Sequence, residues 1–402
     1  MKLWERNLYS LWFGQFIAIA GLTTVTPFLP FYIRELGITG TESVKLWSGL
    51  IFAAPFMISA FMQPLWGIMG DRYGRKPMVV RGMLGLSVAF FLMGFSHTVF
   101  HLLILRFFQG IFSGFVAPSL ALQASCTPED RMGQALGTLQ SAQVTGFMVG
   151  PLLGGLLSHL IGYRPIFFWT GACCLTGALI IMGFVREEFI KNGGRKGSQL
   201  RQNLLHVYRS ANLRTMLVLL IMIQVSIQIV TPFLSLYVEY LKVMPDRVGL
   251  MTGLVFGITG VTNALAAPFW GKRGDRVGYR KILRYSLYGM TLFYLPQAFV
   301  TNVHQLLLLR AVLGVFVGGA MPTINSIVQR SSAIENRGGI YGIFQSGLLL
   351  GNMAGPLIGS GLAAAFGLRS IFLITTVIFF LSTLWERKMG RNNNGSLAIY
   401  KS

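Results

Sequence analysis

Asp71 is the single carboxylate in a basic turn, Gly67-Ile-Met-Gly-Asp-Arg-Tyr-Gly-Arg-Lys76, and the pattern returns 204 positions later around Asp275 as Gly271-Lys-Arg-Gly-Asp-Arg-Val-Gly-Tyr-Arg280. An acid so placed can pair with a cation or with an open helix N-terminus, an attraction of roughly 0.3–1 kcal/mol. Gly67, Gly70 and Gly74 permit a tight turn around Asp71, Arg72 and Arg75, and Pro77 can open the next helix. A second constellation is Arg106 with Gln109, Gly110, Ser113 and Gly114, which share one helical face inside an apolar run. A cation at that depth requires a partner or an aqueous cavity; the plainer readings are an Arg reaching the outer interface or bonding carbonyls of the first apolar run. Arg310, at the duplicate position, lacks the Gln and reads as packing. A third is Gly146, Gly150, Pro151, Gly154 and Gly155: small residues every four positions make a bare stripe for close helix contact, and Pro151 removes an amide donor. Gly249, Gly253 and Gly257 form a matching stripe, and the two are expected to pack together. Cys126, Cys173 and Cys174 lack metal-ligand spacing, there is no phosphate-binding loop, and no nucleophile with a base lies in the apolar runs, so no metal, cofactor or enzymatic activity is expected.

The elements that must hold these residues are membrane helices. The chain has 402 residues, 53% hydrophobic and 12% charged, too little polar surface to cover a soluble core. Apolar stretches of about 18 residues or more occur near 8–33, 46–69, 78–96, 100–124, 133–159, 163–184, 213–238, 247–270, 281–300, 303–328, 338–364 and 369–386. These are spans 1 to 12. With both termini placed in the cytoplasm, 26 of the 34 Lys and Arg fall in inner segments and six in outer loops, and Arg106 and Arg310 lie at membrane depth. That asymmetry follows the positive-inside rule and excludes nucleic acid as the reason for the net charge of +21, leaving membrane lipids as the anionic partner. The expected domains are an N-terminal six-helix bundle (1–185), a basic linker (186–212) whose Leu204 to Tyr208 portion suits a short interfacial helix, a C-terminal six-helix bundle (213–390) and a tail (391–402). Six spans per half makes the repeat parallel, one of the two plans used by secondary transporters.

The loop Gly-x3-Asp-Arg-x-Gly-Arg-Lys, the span-4 Arg-x2-Gln-Gly and the span-5 Gly-x3-Gly-Pro-x2-Gly-Gly occur in the order found in the major facilitator superfamily, and the chain resembles its drug:H+ antiporters with twelve spans. That resemblance implies an all-α membrane fold of two six-helix bundles. It also implies that the loops act as latches, Asp71 facing Arg337-Gly338 and Asp275, with Arg276, facing Arg131-Met-Gly133. Arg106 is implied near the cavity and in proton coupling, and the span-5 pattern is the one associated with proton-exchanging exporters. A cavity lined by spans 1, 4, 7 and 10, with 2, 5, 8 and 11 at its sides, is implied to contain Gln15, Thr23, Gln109, Ser113, Gln143, Gln224, Gln228, Asn263, Asn325, Gln345 and Asn352. Each amide reads equally as an ordinary interhelical hydrogen bond of about 0.6 kcal/mol.

No Asp or Glu is expected inside any span. The titratable groups left are Glu35 and Glu239 at the outer ends of spans 1 and 7, the latch acids, and His97, His101 and His304 near outer loops, which read as interfacial; Glu35 beside Arg34 also reads as a surface pair. The expected protein is a monomeric secondary transporter of the bacterial inner membrane that exports amphiphilic small molecules in exchange for protons. The alternatives are a lipid or glycolipid transporter, and an uptake carrier for a small polar solute.

Overall fold

The computed structural model describes residues 2–187, 198–332 and 337–398, with the side chains of Asp71, Asp130, Pro245, Arg337, Gly338, 198–201 and 390–398 outside the description. Its described elements are helices throughout. Ten of them are long and apolar enough to cross a bilayer, and the bent pair Leu3–Thr24 and Leu29–Glu35, meeting at 52°, makes an eleventh. The remaining expected span, span 9, is the 16-residue helix Tyr279–Tyr294 continued by the 3-10 turn Leu295–Ala298.

The duplication visible in the sequence recurs in the backbone. Spans 1 and 7 are interrupted at Thr26-Pro27 and Thr231-Pro232, where proline supplies no amide donor, although Pro151 and Pro356 are accommodated inside unbroken helices. Thr26-Pro27 marks the bend of span 1, and Thr231-Pro232 falls in the 3-10 turn Thr231–Phe233 of span 7, between Ala211–Val230 and Leu234–Tyr240. Gly74 and Gly278 turn the chain between spans 2 and 3 and between spans 8 and 9 at φ of +99° and +100°, where a side chain would be strained by about 1–3 kcal/mol. The Trp66 and Trp270 indoles both donate 2.7 Å hydrogen bonds, to the carbonyls of Ile111 and Val315. Thr98 and Asn302 cap the starts of spans 4 and 10 by accepting amides of His101 and Gln305 at 3.2 and 3.0 Å.

The chain divides into two compact units, Met1–Gly194 with Leu234–Gly257, and Arg195–Phe233 with Ile258–Ser402. In the first, span 1 lies against span 5 (Met132–Ile161) and span 6 (Arg164–Phe184). In the second, span 7 lies against span 11 (Arg337–Phe366) and span 12 (Leu368–Ala398). Glycines make both seams. A Cβ on Gly150 would stand 1.9 Å from Thr23 Oγ1, and one on Gly355 would stand 2.5 Å from Gln228 Cβ. The helix Ser198–Arg209 docks on spans 7 and 11 in the second unit, with Asn203 and Val207 buried and Leu204, Leu205 and Tyr208 exposed.

Candidate functional site

The first basic turn is held by its own unit. Glu187, just beyond span 6, accepts the amides of Arg75 and Lys76 through its two carboxylate oxygens, each at 2.8 Å. A carboxylate on the first two amides of a helix satisfies orphan donors and meets the positive end of the helix dipole. The Arg75 guanidinium donates to the Ala121 carbonyl in span 4, and Lys76 Nζ donates to the Met182 carbonyl at 2.9 Å. Gly67 is open on its missing-side-chain side, and Arg72 lies 5.3 Å from the Tyr73 ring. The expected pairing of Asp71 with Arg337 falls on side chains outside the description. In the second copy Asp275 accepts a 2.6 Å hydrogen bond from the Tyr279 hydroxyl and pairs with Arg330 at 3.5 Å, while Arg276 is exposed. Arg131 donates to Gln134 on the following helix at 3.4 Å.

One expectation needs correction. Spans free of acid are expected, yet Glu386, at the last position of expected span 12, is fully buried and paired with Arg284 and, at 3.8 Å, with Arg280. Arg280 also donates to Asn212 at the start of span 7 at 2.6 Å. Each unit therefore brings a carboxylate from the end of its last span onto the first turns of its third. The sequence carries the signal, an acid beside Arg186 and another beside Arg387, but placing span 12 at 369–386 hid Glu386 at the boundary.

Span 4 is two helices, Val99–Phe112 and Val116–Cys126, broken where Gly114 takes a φ of +99°. Arg106 is buried and donates through Nη1 to Gln109 Oε1 at 3.1 Å, its guanidinium 6.0 Å from the Phe90 ring. Its Nε has no hydrogen-bond partner among the described residues, and neither do the two amide atoms of fully buried Gln15. Buried polar groups left unsatisfied are uncommon and mark places where a water, proton or ligand can be received. Ser113 instead returns its hydroxyl to the Gln109 carbonyl at 3.1 Å.

The span-5 stripe is split between two neighbours. Gly146, Gly150 and Gly154 face span 1, against Ile19, Thr23 and Thr24, whereas span 8 (Val248–Val277) meets Gly155, Pro151 and Leu152. A Cβ on Gly253 would lie 2.6 Å from the Pro151 carbonyl, and one on Gly155 would lie 2.6 Å from the Gly249 carbonyl. The expected contact with Gly249, Gly253 and Gly257 exists, but it is offset by one residue from the four-residue stripe. The reason is geometric: one helix cannot present the same stripe to two partners, and Gly155 lies 100° around from Gly154. Thr23 donates to the Ile19 carbonyl at 2.8 Å and to the Gly146 carbonyl at 3.1 Å.

The remaining amides divide by burial. Gln224 donates to Asn352 across the span 7–span 11 seam, and Gln228 packs on Gly355 in the same seam. Asn263 packs against Gly314 and Gly318 of span 10 (Val303–Arg330), Gln143 is half-buried, and Asn325 and Gln345 are exposed. Near the outer ends of spans 1 and 7, Arg34 and Glu239 form a 2.7 Å ion pair within the first unit, and Glu35 is exposed near the charge of Arg164. No cluster of His, Cys, Asp and Glu suited to a metal occurs among the described residues.

With this geometry in place, comparison with known proteins decides the family. The Major Facilitator Superfamily model matches residues 11–260 and 216–394. The chain belongs to the Major Facilitator Superfamily. Among curated members of that superfamily it is 35% identical over 383 residues to multidrug resistance protein MdtG of Salmonella typhimurium, covering 95% of each chain. The same values hold for MdtG of Salmonella newport. Solved structures share the fold. A bacterial homolog of the human lysosomal transporter Spinster, inward-facing and occupied, has a TM-score of 0.80 at 13% identity over 97% of this chain and 98% of that one. The human organic anion transporter MFSD10 has a TM-score of 0.70 at 18% identity over 96% and 100%. As a superfamily member, the chain is a multi-pass membrane transporter of small molecules.

Proposed function

We propose that this transporter is a proton-coupled exporter of amphiphilic small molecules in the bacterial inner membrane, working by alternating access. The observation that carries the reading is the 35% identity across 95% of the chain to a protein named for multidrug resistance. It is joined by a span-5 Gly-Pro-Gly-Gly pattern whose residues lie in tight seams with spans 1 and 8. Arg106, Gln109 and Gln15 form the polar interior of the first unit, and Gln224 with Asn352 that of the second. Glu35, Glu239 and Asp71 are the groups assigned to proton exchange, with Arg106 responding to their charge. The latch role is assigned to Asp71 with Arg337, and in the second copy to Asp275 with Arg131. The substrates fitting an amide-rich interior with a buried cation are neutral, zwitterionic or anionic amphiphiles.

The test is transport by purified protein in proteoliposomes, with and without an imposed pH gradient, across neutral, anionic and cationic dyes. Gradient-driven movement of neutral or anionic dyes is the expected result. Equal rates with and without the gradient would refute proton coupling, and a clear preference for permanent cations would refute the substrate class.

A further inference from the structure

Spans 3 and 4 leave an open groove of about 550 Å³ between them, lined by Pro77, Val80, Leu84, Val88, Phe108 and Phe112 with Arg81 as its one charged residue. The floor is Gly85, where a Cβ would collide with the Phe112 ring. Arg81 lies six residues into the span-3 helix, about 9 Å from its basic end. Its guanidinium rests 3.3 Å from the centre of the Trp66 ring, a platform fixed by the indole's own hydrogen bond to Ile111. None of the three guanidinium nitrogens has a hydrogen-bond partner, and no ion pair reaches Arg81 among the described residues. Stacking on Trp attracts a cation but satisfies none of its N–H groups.

We propose that this groove binds one anionic glycerophospholipid of the surrounding leaflet, with Arg81 holding the phosphate and the wall from Leu84 to Val88, with Phe108 and Phe112, holding an acyl chain. A cation without a protein partner at this depth requires an anion, and a phosphate accepts the guanidinium edge in a two-point hydrogen bond. All three nitrogens are buried against the protein, so the proposed contact with a phosphate in the groove requires rotation about the flexible side-chain torsions. From Arg81 to Val88 the wall runs about 10 Å along the helix, enough to seat the upper part of an acyl chain whose phosphate is on Arg81. The second copy supplies a contrast. It keeps the tryptophan and its hydrogen bond, Trp270 to Val315, but Tyr285 stands at the position equivalent to Arg81.

The photo-crosslinker p-benzoylphenylalanine, placed at exposed Val88 and at its exposed counterpart Leu292, would report the occupant. The full-length protein would be reconstituted in vesicles mixing phosphatidylglycerol and phosphatidylcholine. Phosphatidylglycerol should be captured at Val88 at least about fivefold over phosphatidylcholine, without preference at Leu292. Glycerol phosphate lacking acyl chains should fail to compete. Arg81→Gln should remove the preference at Val88, and Arg81→Lys should retain part of it. Equal capture of the two lipids at Val88 in otherwise wild-type protein would overturn the proposal, and that measurement needs no variant of Arg81. Competition by glycerol phosphate, or an unchanged preference in a folded Arg81→Gln protein, would overturn it as well.

Discussion

At the scale of single residues, the carboxylates carry sharp consequences. Glu187 caps two amides of span 3 through its two oxygens, so Glu187→Gln, which keeps one acceptor and turns the other into a donor, should cost about 1 kcal/mol, and Glu187→Ala about 1–2 kcal/mol. Thermal unfolding of the detergent-solubilised protein would read both. Glu386 is fully buried between two arginines, and its removal takes the carboxylate from Arg284 and from Arg280, which keeps its hydrogen bond to Asn212. Glu386→Ala should therefore be more damaging, about 1.5–3 kcal/mol for the lost charge-assisted contacts, with loss of folded protein in membranes as the readout. The half-exposed pair Arg34–Glu239 is a different case: a double-mutant cycle with Arg34→Gln and Glu239→Gln should return a coupling of only about 0.2–1 kcal/mol. Charge patterning in the sequence placed Arg106 beside Gln109 and the structure joins them. It marks Glu187 and Glu386 only as acids beside Arg186 and Arg387; their partners are backbone amides or side chains about a hundred residues away, and no local periodicity reports such pairs.

At the scale of helices, glycine positions decide which neighbours meet. Gly150→Ala drives a methyl group into Thr23 and should destabilise by about 1–3 kcal/mol. Gly137→Ala, on the same helix with nothing within 4 Å of the added carbon, should be neutral or slightly stabilising by helix propensity. Yield of monodisperse protein and its unfolding temperature would separate the two. The stripe itself was legible: small residues every four positions announce a close helix contact. Its partner was not, since the spacing gives a face and not the identity of what covers it, and span 1 took the face expected for span 8. Breaks in the helices were not readable from proline, since Pro27 and Pro232 fall at breaks while Pro151 and Pro356 lie inside unbroken helices and span 4 breaks at Gly114. The short span 9 was not readable either, because three cations in its first turns reduce the apolar length without any breaker residue.

At the scale of the whole molecule, the repeat fixed the fold class, since two basic turns in register imply two bundles of six. The compact units do not follow the linker alone: Leu234–Gly257 associates with the first six spans, where Gly249 and Gly253 pack on Gly155 and Pro151. This has a consequence for splitting the gene. A fragment ending at the linker would carry spans 1–6 but leave Leu152 and Gly155 without their covering helix, while the complementary fragment would hold that helix away from its seat. Each piece translated alone should insert yet be cleared by proteolysis, and co-expression should rescue both. As the control, Gly253→Leu in the second fragment, which drives a side chain into the Pro151 carbonyl, should abolish the rescue.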